Sequence, residues 1–195
     1  MELPLSYKAF FSNLKGFEFR YTEKQYYVLL FAFFEMISDN IISLEIQSDN
    51  QFLISSTNQN NISFFLYKLL LRPLEYNQNS MELEKYIYRI GIYGYSWTNT
   101  FSEYSIKKII HKEFLGKGFL VKKGIWPFSS YKLEYQMEED INKINFVIEK
   151  NKFISKIKDK LNLNKEELEN IINIVHTNLL ISLDTIRPAI SLIGK

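Results

Sequence analysis

The feature that most constrains this chain is residues 26–37, where almost every side chain is apolar. A helix formed from this stretch would be hydrophobic on nearly every face and must therefore be surrounded by protein. Thr22 and Gln25 fit a capping box, which marks a helix start. The stretch is too short to span a bilayer, which takes ~20 residues. We predict a buried central helix with the remaining elements packed around it.

A β-hairpin is predicted directly after this helix. Ser38, Asp39 and Asn40 break the helical pattern, and residues 41–46 and 51–55 then read as two short strands joined by a turn. A helix followed by a hairpin is the skeleton of a winged-helix unit. The first such unit is therefore expected at about residues 22–55.

A second unit of the same kind is predicted at about residues 100–135. Thr100 and Glu103 fit another capping box, and an amphipathic helix follows that Gly116 and Gly118 would end. Strands are expected at residues 119–123 and 131–135.

The other helices are predicted from periodicity and helix boundary signals. A helix over residues 62–71 should stop before Pro73, because proline disfavours helical backbone in the preceding residue. Asn79 should cap a helix that runs to about Ile90. Gly91, Gly94 and Asn99 would mark a loop after it, and long C-terminal helices are expected at about 138–161 and 165–182. The predicted fold class is mainly α, a compact helical domain over residues 1–195 with two winged-helix-like units.

The composition excludes several classes of function. The chain has no cysteine, so disulfides, thiolate zinc sites, iron–sulfur clusters and a cysteine nucleophile are all absent. No phosphate-binding loop, dinucleotide glycine fingerprint or nucleophile elbow occurs. His111 and His176 lie far apart in sequence and have no neighbours at metal-ligand spacing. We predict no catalytic residue, no metal site and no cofactor, and hence that the protein is not an enzyme.

The two histidines and the acidic clusters are interpreted structurally. His176 lies beside an apolar helix face and is expected to be a hydrogen-bonded packing residue. His111 falls on a polar helix face among lysines, where solvent exposure and anion contact are both possible. The acidic clusters at residues 138–140 and 166–169 are predicted to begin helices, where carboxylates favour the positive end of the helix dipole.

A basic window over residues 105–123 is the strongest functional signal. Its lysines are opposed by a single acid, Glu113. They are Lys107, Lys108, Lys112, Lys117, Lys122 and Lys123. At helical spacing, several of them lie opposite the apolar face of their helix.

Three interpretations of the basic window stay open. The lysines could attract an anionic membrane, contact DNA phosphates, or form a solvated face without a partner. The helix offers no Arg, Asn or Gln on its basic face for reading base edges, which disfavours sequence-specific DNA recognition.

Aromatic residues are predicted at the tip of the second hairpin. Trp126 and Phe128 flank Pro127, and lysines precede them. Such residues insert at a membrane interface or anchor a partner protein when exposed, and they fill the core when they fold inward.

Residues 107–133, KKIIHKEFLGKGFLVKKGIWPFSSYKL, carry a resemblance to a known family. The sequence resembles the Golgi phosphoprotein 3 family, in which a basic helix leads into a Leu-Val-x-x-Gly-Leu-Leu type segment and a Leu-Phe-rich hairpin. Leu3-Pro4-Leu5 is similar to the family's opening, and residues 171–180 are similar to its late helix with a histidine. The resembling positions in the central segment are Phe114, Leu115, Gly118, Phe119, Leu120 and Trp126-Pro127-Phe128.

The resemblance implies a helical fold with winged-helix-like pieces, binding to phosphatidylinositol 4-phosphate and retention of membrane enzymes through their cytosolic tails. In the family's lipid site, Phe19 falls at a tryptophan and Lys107 at an arginine, whereas Val28 and Tyr104 fall at two other arginines. Arg20 and Lys24 are the basic residues that could substitute for those two.

The leading hypothesis is therefore a peripheral membrane adaptor that has a protein cargo. Its anionic-lipid site would comprise Lys107, Lys108, Lys112, Lys122, Lys123, Phe19, Arg20 and Lys24, and Trp126 and Phe128 would insert. The alternatives are a winged-helix DNA-binding protein and a protein-interaction module without an anionic partner. No signal-peptide pattern is visible, so a cytoplasmic protein, peripheral at a membrane surface, is expected.

Overall fold

The structure, a computed structural model, describes residues 3–12, 21–47, 51–57, 62–95, 106–123 and 130–185. This part of the chain is mainly α-helical, as predicted. Its elements, in chain order, are α1 (Leu5–Phe11), α2 (Tyr21–Ser38), β1 (Ile42–Ile46), β2 (Phe52–Ser56), α3 (Phe65–Glu75), β3 (Ser80–Glu82), α4 (Leu83–Tyr95), α5 (Ile106–Gly116), β4 (Leu120–Lys123), β5 (Ser130–Leu133), α6 (Tyr135–Asn142), α7 (Phe146–Leu161) and α8 (Lys165–Thr185).

Helix α2 is the centre of the core, as its composition predicts. Residues 28–37 are all buried, and α1, α3, α4, α7 and α8 all contact this helix. The ring of Phe31 lies 5.9 Å from that of Phe146 at the start of α7. The prediction of a buried central helix is confirmed.

The first hairpin is confirmed but belongs to a three-stranded sheet. Strands β1 and β2 are antiparallel, with Leu44 opposite Ile54, and both side chains are buried. Strand β3 joins the other edge of β2 and was not predicted. Asn79 is not a helix cap, because it has a left-handed φ of 67° and leads into β3. Helix α4 starts only at Leu83.

The prediction that the third helix stops before Pro73 is wrong. Pro73 lies inside α3, which continues to Glu75. Leu74 is fully buried, so continuing the helix keeps an apolar side chain in the core. The Asn77 side-chain amide also donates to the Pro73 carbonyl at 2.6 Å, which satisfies one of the last carbonyls of the helix.

Helix α4 extends past its predicted end because α8 packs directly on it. Gly91 and Gly94 lie inside the helix and do not mark a loop. A Cβ atom at Gly91 would overlap the side chain of Ser182 in α8. The absence of a side chain at Gly91 therefore permits the close approach of the two helices.

The C-terminal part contains three helices where two were predicted. The predicted helix at 138–161 is divided at residues 143–145 into α6 and α7. Asn145 caps α7, since its side-chain oxygen accepts hydrogen bonds from the amides of Val147 and Ile148, both at 3.2 Å. Glu139 and Asp140 consequently lie in the second half of α6 and not at a helix start. Helix α8 begins with a capping box, because Asn164 and Glu167 exchange hydrogen bonds of 2.8 and 2.9 Å.

The second helix and hairpin also occur in the predicted order. Helix α5 ends at Gly116, and Gly118 follows with a left-handed φ of 75°, which glycine adopts without steric cost. Strands β4 and β5 then pair antiparallel, with Leu120 opposite Leu133.

Candidate anion-binding surface

The basic window forms a helix and the strand that follows it. Lys107, Lys108 and Lys112 belong to α5, and Lys122 and Lys123 belong to β4. Lys107 and Lys108 lie in the first turn of α5, which is the positive end of the helix dipole. That turn contains no acidic residue. The backbone therefore brings five of the predicted lysines onto two consecutive elements.

Several predicted site residues lie outside what the structure describes. Phe19 and Arg20 fall in residues 13–20, and the hairpin tip with Trp126 and Phe128 falls in residues 124–129. For another group only the backbone is described. That group comprises Lys24, Lys107, Lys108, Lys122 and Lys123.

Glu113, the single acid of the basic window, points into the protein. Its Oε2 atom accepts a hydrogen bond of 2.6 Å from the Tyr7 hydroxyl and one of 3.2 Å from the Phe65 amide. The Tyr7 hydroxyl in turn accepts a 3.2 Å bond from the Leu66 amide. Glu113 and Tyr7 together satisfy two of the free amides at the start of α3, whose N-cap, Phe64, offers no side-chain acceptor.

Lys117 neutralises Glu113 at this position. The Lys117 ammonium lies 2.9 Å from Glu113 Oε1, and the two side chains are 26% and 11% exposed. It also donates to the Ser63 carbonyl at 3.3 Å and lies 4.0 Å from the centre of the Phe64 ring. Lys117 is thus a structural residue, and Glu113 does not offset the other five lysines of the window.

Lys112 and Leu115 form the exposed side of α5 in the part that the structure describes. Ile110 and Phe114 are fully buried, whereas Lys112 is exposed and Leu115 is 40% exposed. None of the ion pairs between described residues involves Lys112. A cation and an apolar side chain therefore lie one helical turn apart on the same side of the helix.

His111 is packed against α1 and is not simply solvent-exposed. Its ring lies 5.7 Å from Phe10, edge-on, and 5.9 Å from Phe11, stacked. Phe11 also contacts Phe114, with ring centres 4.3 Å apart. His111 is half-buried in this aromatic cluster, which accounts for its place on α5 without an anion.

His176 is hydrogen-bonded, as predicted, although its side chain is exposed. Its Nδ1 atom lies 2.8 Å from the Tyr26 hydroxyl, which joins α8 to α2. Burial raises the pKa of Tyr26 to about 12, so the phenol stays protonated at neutral pH and serves as a hydrogen-bonding group.

A second inward-facing carboxylate, Glu35, was missed from the sequence. It lies in α2, is 5% exposed, and accepts a short hydrogen bond from the Leu5 amide. The Ser6 amide donates to it at 3.2 Å and the Tyr67 hydroxyl at 2.9 Å. Glu35 therefore caps α1, whose N-cap residue Pro4 has no side-chain acceptor. A lone acid in the apolar run of residues 26–37 was the signal that could have identified it.

Burial raises the pKa of Glu35 to about 7. The Tyr67 hydroxyl and the amides of Ser6 and Leu5 favour the ionised form, but loss of hydration outweighs them. In the described part of the chain, no Lys, Arg or His forms an ion pair with Glu35.

The position of Val28 bears on the lipid site that the resemblance implies. Val28 corresponds to an arginine of that site, yet it is fully buried in α2. A headgroup ligand cannot reach this side chain. The burial of Val28 therefore excludes this position from any lipid site.

Within the described residues, no group of His, Cys, Asp and Glu side chains could hold a metal ion. No helix in the same ranges is long and apolar enough to cross a membrane. No model of a known protein family matches this chain, and no curated protein matches it at a significant level.

Proposed function

We propose that this protein is a peripheral membrane adaptor that binds anionic lipid headgroups through α5 and β4. The observation that carries the proposal is the inward orientation of Glu113. This acid is satisfied by Tyr7, the Phe65 amide and Lys117, and the sequence of the basic window contains no further acid to offset its other five lysines. Such a concentration of cations attracts an anionic surface.

The exposed side of α5 combines charge with apolar contact. Lys108 and Lys112 are one helical turn apart, and the positions three and four residues from Lys112 hold no acid. Like charges at this spacing destabilise a helix slightly, and a bound anion would remove that repulsion. Leu115 lies beside Lys112 and could enter the interface between headgroups and acyl chains.

The expected membrane binding is weak and reversible. Each lysine near an anionic surface contributes ~1 kcal/mol, so five contribute roughly 5 kcal/mol at most. Partial burial of Leu115 would add about 1 kcal/mol. Binding of this strength depends steeply on salt and is suited to an adaptor that also holds a protein partner.

The resemblance to the Golgi phosphoprotein 3 family supports the same class of function. It adds a phosphoinositide as the preferred anionic lipid and the cytosolic tail of a membrane enzyme as cargo. Trp126 and Phe128 remain the candidates for insertion, and Phe19, Arg20 and Lys24 remain candidates for headgroup contact.

Co-flotation with liposomes tests the proposal directly. The full chain should float with vesicles containing about one-third phosphatidylserine or a few per cent phosphoinositide, and should not float with neutral phosphatidylcholine. Reversing two charges with Lys108→Glu and Lys112→Glu should weaken vesicle affinity roughly thirtyfold, since about 1 kcal/mol is lost per removed cation.

A matched control is Lys165→Glu combined with Lys156→Glu, which makes the same charge change on α8 and α7, where both side chains are exposed. Equal losses in the two double variants would show net charge alone to be responsible. No flotation together with a shift of duplex DNA would replace the proposal with a DNA-binding function, and silence in both assays would leave a protein-interaction module.

A further inference from the structure

Helices α1 and α3 begin with similar hydrogen-bonding arrangements, each formed by a carboxylate that is distant in sequence. The first amides of α1 donate to Glu35, and the first amide of α3 donates to Glu113. The third residue of each helix is a tyrosine that reaches the carboxylate serving the other helix. Tyr7 donates to Glu113 at 2.6 Å, and Tyr67 donates to Glu35 at 2.9 Å.

Docking of α1 buries Glu35. The carboxylate lies under the first turn of α1 and beside Tyr67 of α3, and its described hydrogen-bond partners come from these two helices. When α1 moves away, its amides leave and water can reach the carboxylate. The docked and undocked arrangements therefore differ in how well they tolerate a negative charge at Glu35.

The charged and titratable groups on the neighbouring elements do not supply a counter-ion. Helix α1 carries Tyr7 and Lys8, and α3 carries Tyr67, Lys68, Arg72 and Glu75. Asp39 follows α2, Glu113 lies in α5, Lys117 follows α5, and Lys160 lies in α7. Lys117 is paired with Glu113, and Lys160 donates to the carbonyls of Ile37 and Ser38 at 2.8 Å each. No ion pair between described residues includes Glu35.

We propose that α1 is a proton-linked clasp, which is held in place while Glu35 is protonated and is released more readily once that carboxylate ionises. Burial that raises the pKa of Glu35 to about 7 agrees with this geometry and places the change near neutral pH. In the undocked state the carboxyl regains its ordinary value near 4.5. Raising the pH from 6 to 8 should therefore favour undocking about tenfold. This proposal stands independently of membrane binding.

The absence of cysteine allows undocking to be measured by thiol labelling. Ser12, which is buried at the end of α1, is replaced with cysteine in the full chain, and Val175→Cys in α8 gives a buried reference for global opening. Labelling rates are divided by those of a free cysteine peptide at each pH, which removes the titration of the thiol itself.

Protection of the cysteine at position 12 should fall about tenfold between pH 6 and pH 8, while protection at position 175 stays constant. Glu35→Gln should abolish the change at position 12. A parallel fall at both positions, no fall at position 12, or persistence of the fall with Glu35→Gln would each overturn the clasp.

If Glu35→Gln does not fold, Tyr67→Phe replaces it. Losing one donor to the carboxylate should move the midpoint to higher pH, and an unchanged midpoint would refute the role of Glu35.

Discussion

The starts of α1 and α3 are alike in hydrogen bonding and differ in electrostatics. At α3, Glu113 has Lys117 at 2.9 Å and remains partly exposed. At α1, Glu35 accepts from two amides and the Tyr67 hydroxyl but has no cation among the described residues, and it is almost completely buried. At Glu35 the hydrogen bonds satisfy the carboxylate oxygens, yet they do not offset the loss of hydration. We therefore expect the α1 cap to respond to pH near neutrality.

Removing each carboxylate should separate the two caps most clearly. Glu35→Ala leaves the Leu5 and Ser6 amides and the Tyr67 hydroxyl without their acceptor inside the protein, and should lower the free energy of unfolding by about 3–5 kcal/mol. Glu113→Ala should cost about 1–2 kcal/mol, because water can reach the Phe65 amide. Urea denaturation at pH 5.5 measures both. Equal losses would mean that burial does not distinguish the caps.

The pH dependence of stability should be traceable to Glu35. Its pKa is raised from 4.5 to about 7 in the folded state. Between these two pH values the native protein therefore holds a proton on Glu35 that the unfolded chain has released. The stabilisation is fully present below pH 4.5 and is lost as the pH rises through about 7. Relative to Glu35→Gln, the wild type should lose about 3 kcal/mol across this range. Glu113→Gln, the matched control, should keep the wild-type slope in denaturation series at several pH values.

Removing the tyrosine hydroxyls one at a time compares the reciprocal contacts. Tyr7→Phe should cost about 2 kcal/mol, because it leaves the buried Leu66 amide without an acceptor as well as removing a donor to Glu113. Tyr67→Phe removes one donor only and should cost about 1 kcal/mol. Thermal unfolding at pH 6 gives both values, and the reverse order would contradict the assigned contacts.

Lys117→Met should make the α3 cap resemble the α1 cap. The methionine keeps an apolar stem near Phe64 but removes the cation from Glu113. The expected loss is about 1 kcal/mol or less at neutral pH, since the pair is partly exposed. Acidification should raise the free energy of unfolding of this variant relative to that of the wild type. If denaturation midpoints keep the wild-type pH profile, the cation does not distinguish the two caps.

Local features of the fold were predictable, whereas features set by distant contacts were not. Residues 26–37 could only be a buried helix, and Gly118 marked the end of α5 correctly. The short strand β3 exists because β2 offers it an edge, and α3 passes Pro73 because Leu74 is drawn into the core. Neither condition is visible in a local window of sequence.

The positive charge of the candidate surface was predictable from the sequence, but the inward orientation of its single acid was not. The lysines of residues 105–123 stand out in the sequence, and so does Glu113 as their single opposing acid. That Glu113 faces inward depends on Tyr7, which is 106 residues away in the chain. A pattern read along one helix gave no sign of this partner.

The close packing of Gly91 against Ser182 has a consequence for how the chain is made. Helix α4 leaves the ribosome well before α8, and at 5–20 residues per second the two contact positions are separated by roughly 5–20 s of synthesis. During that interval the face of α4 that α8 will cover is open to water or to chaperones. The nascent chain thus carries a long-lived apolar surface, and translation speed across residues 91–182 should influence how much of it reaches the native state.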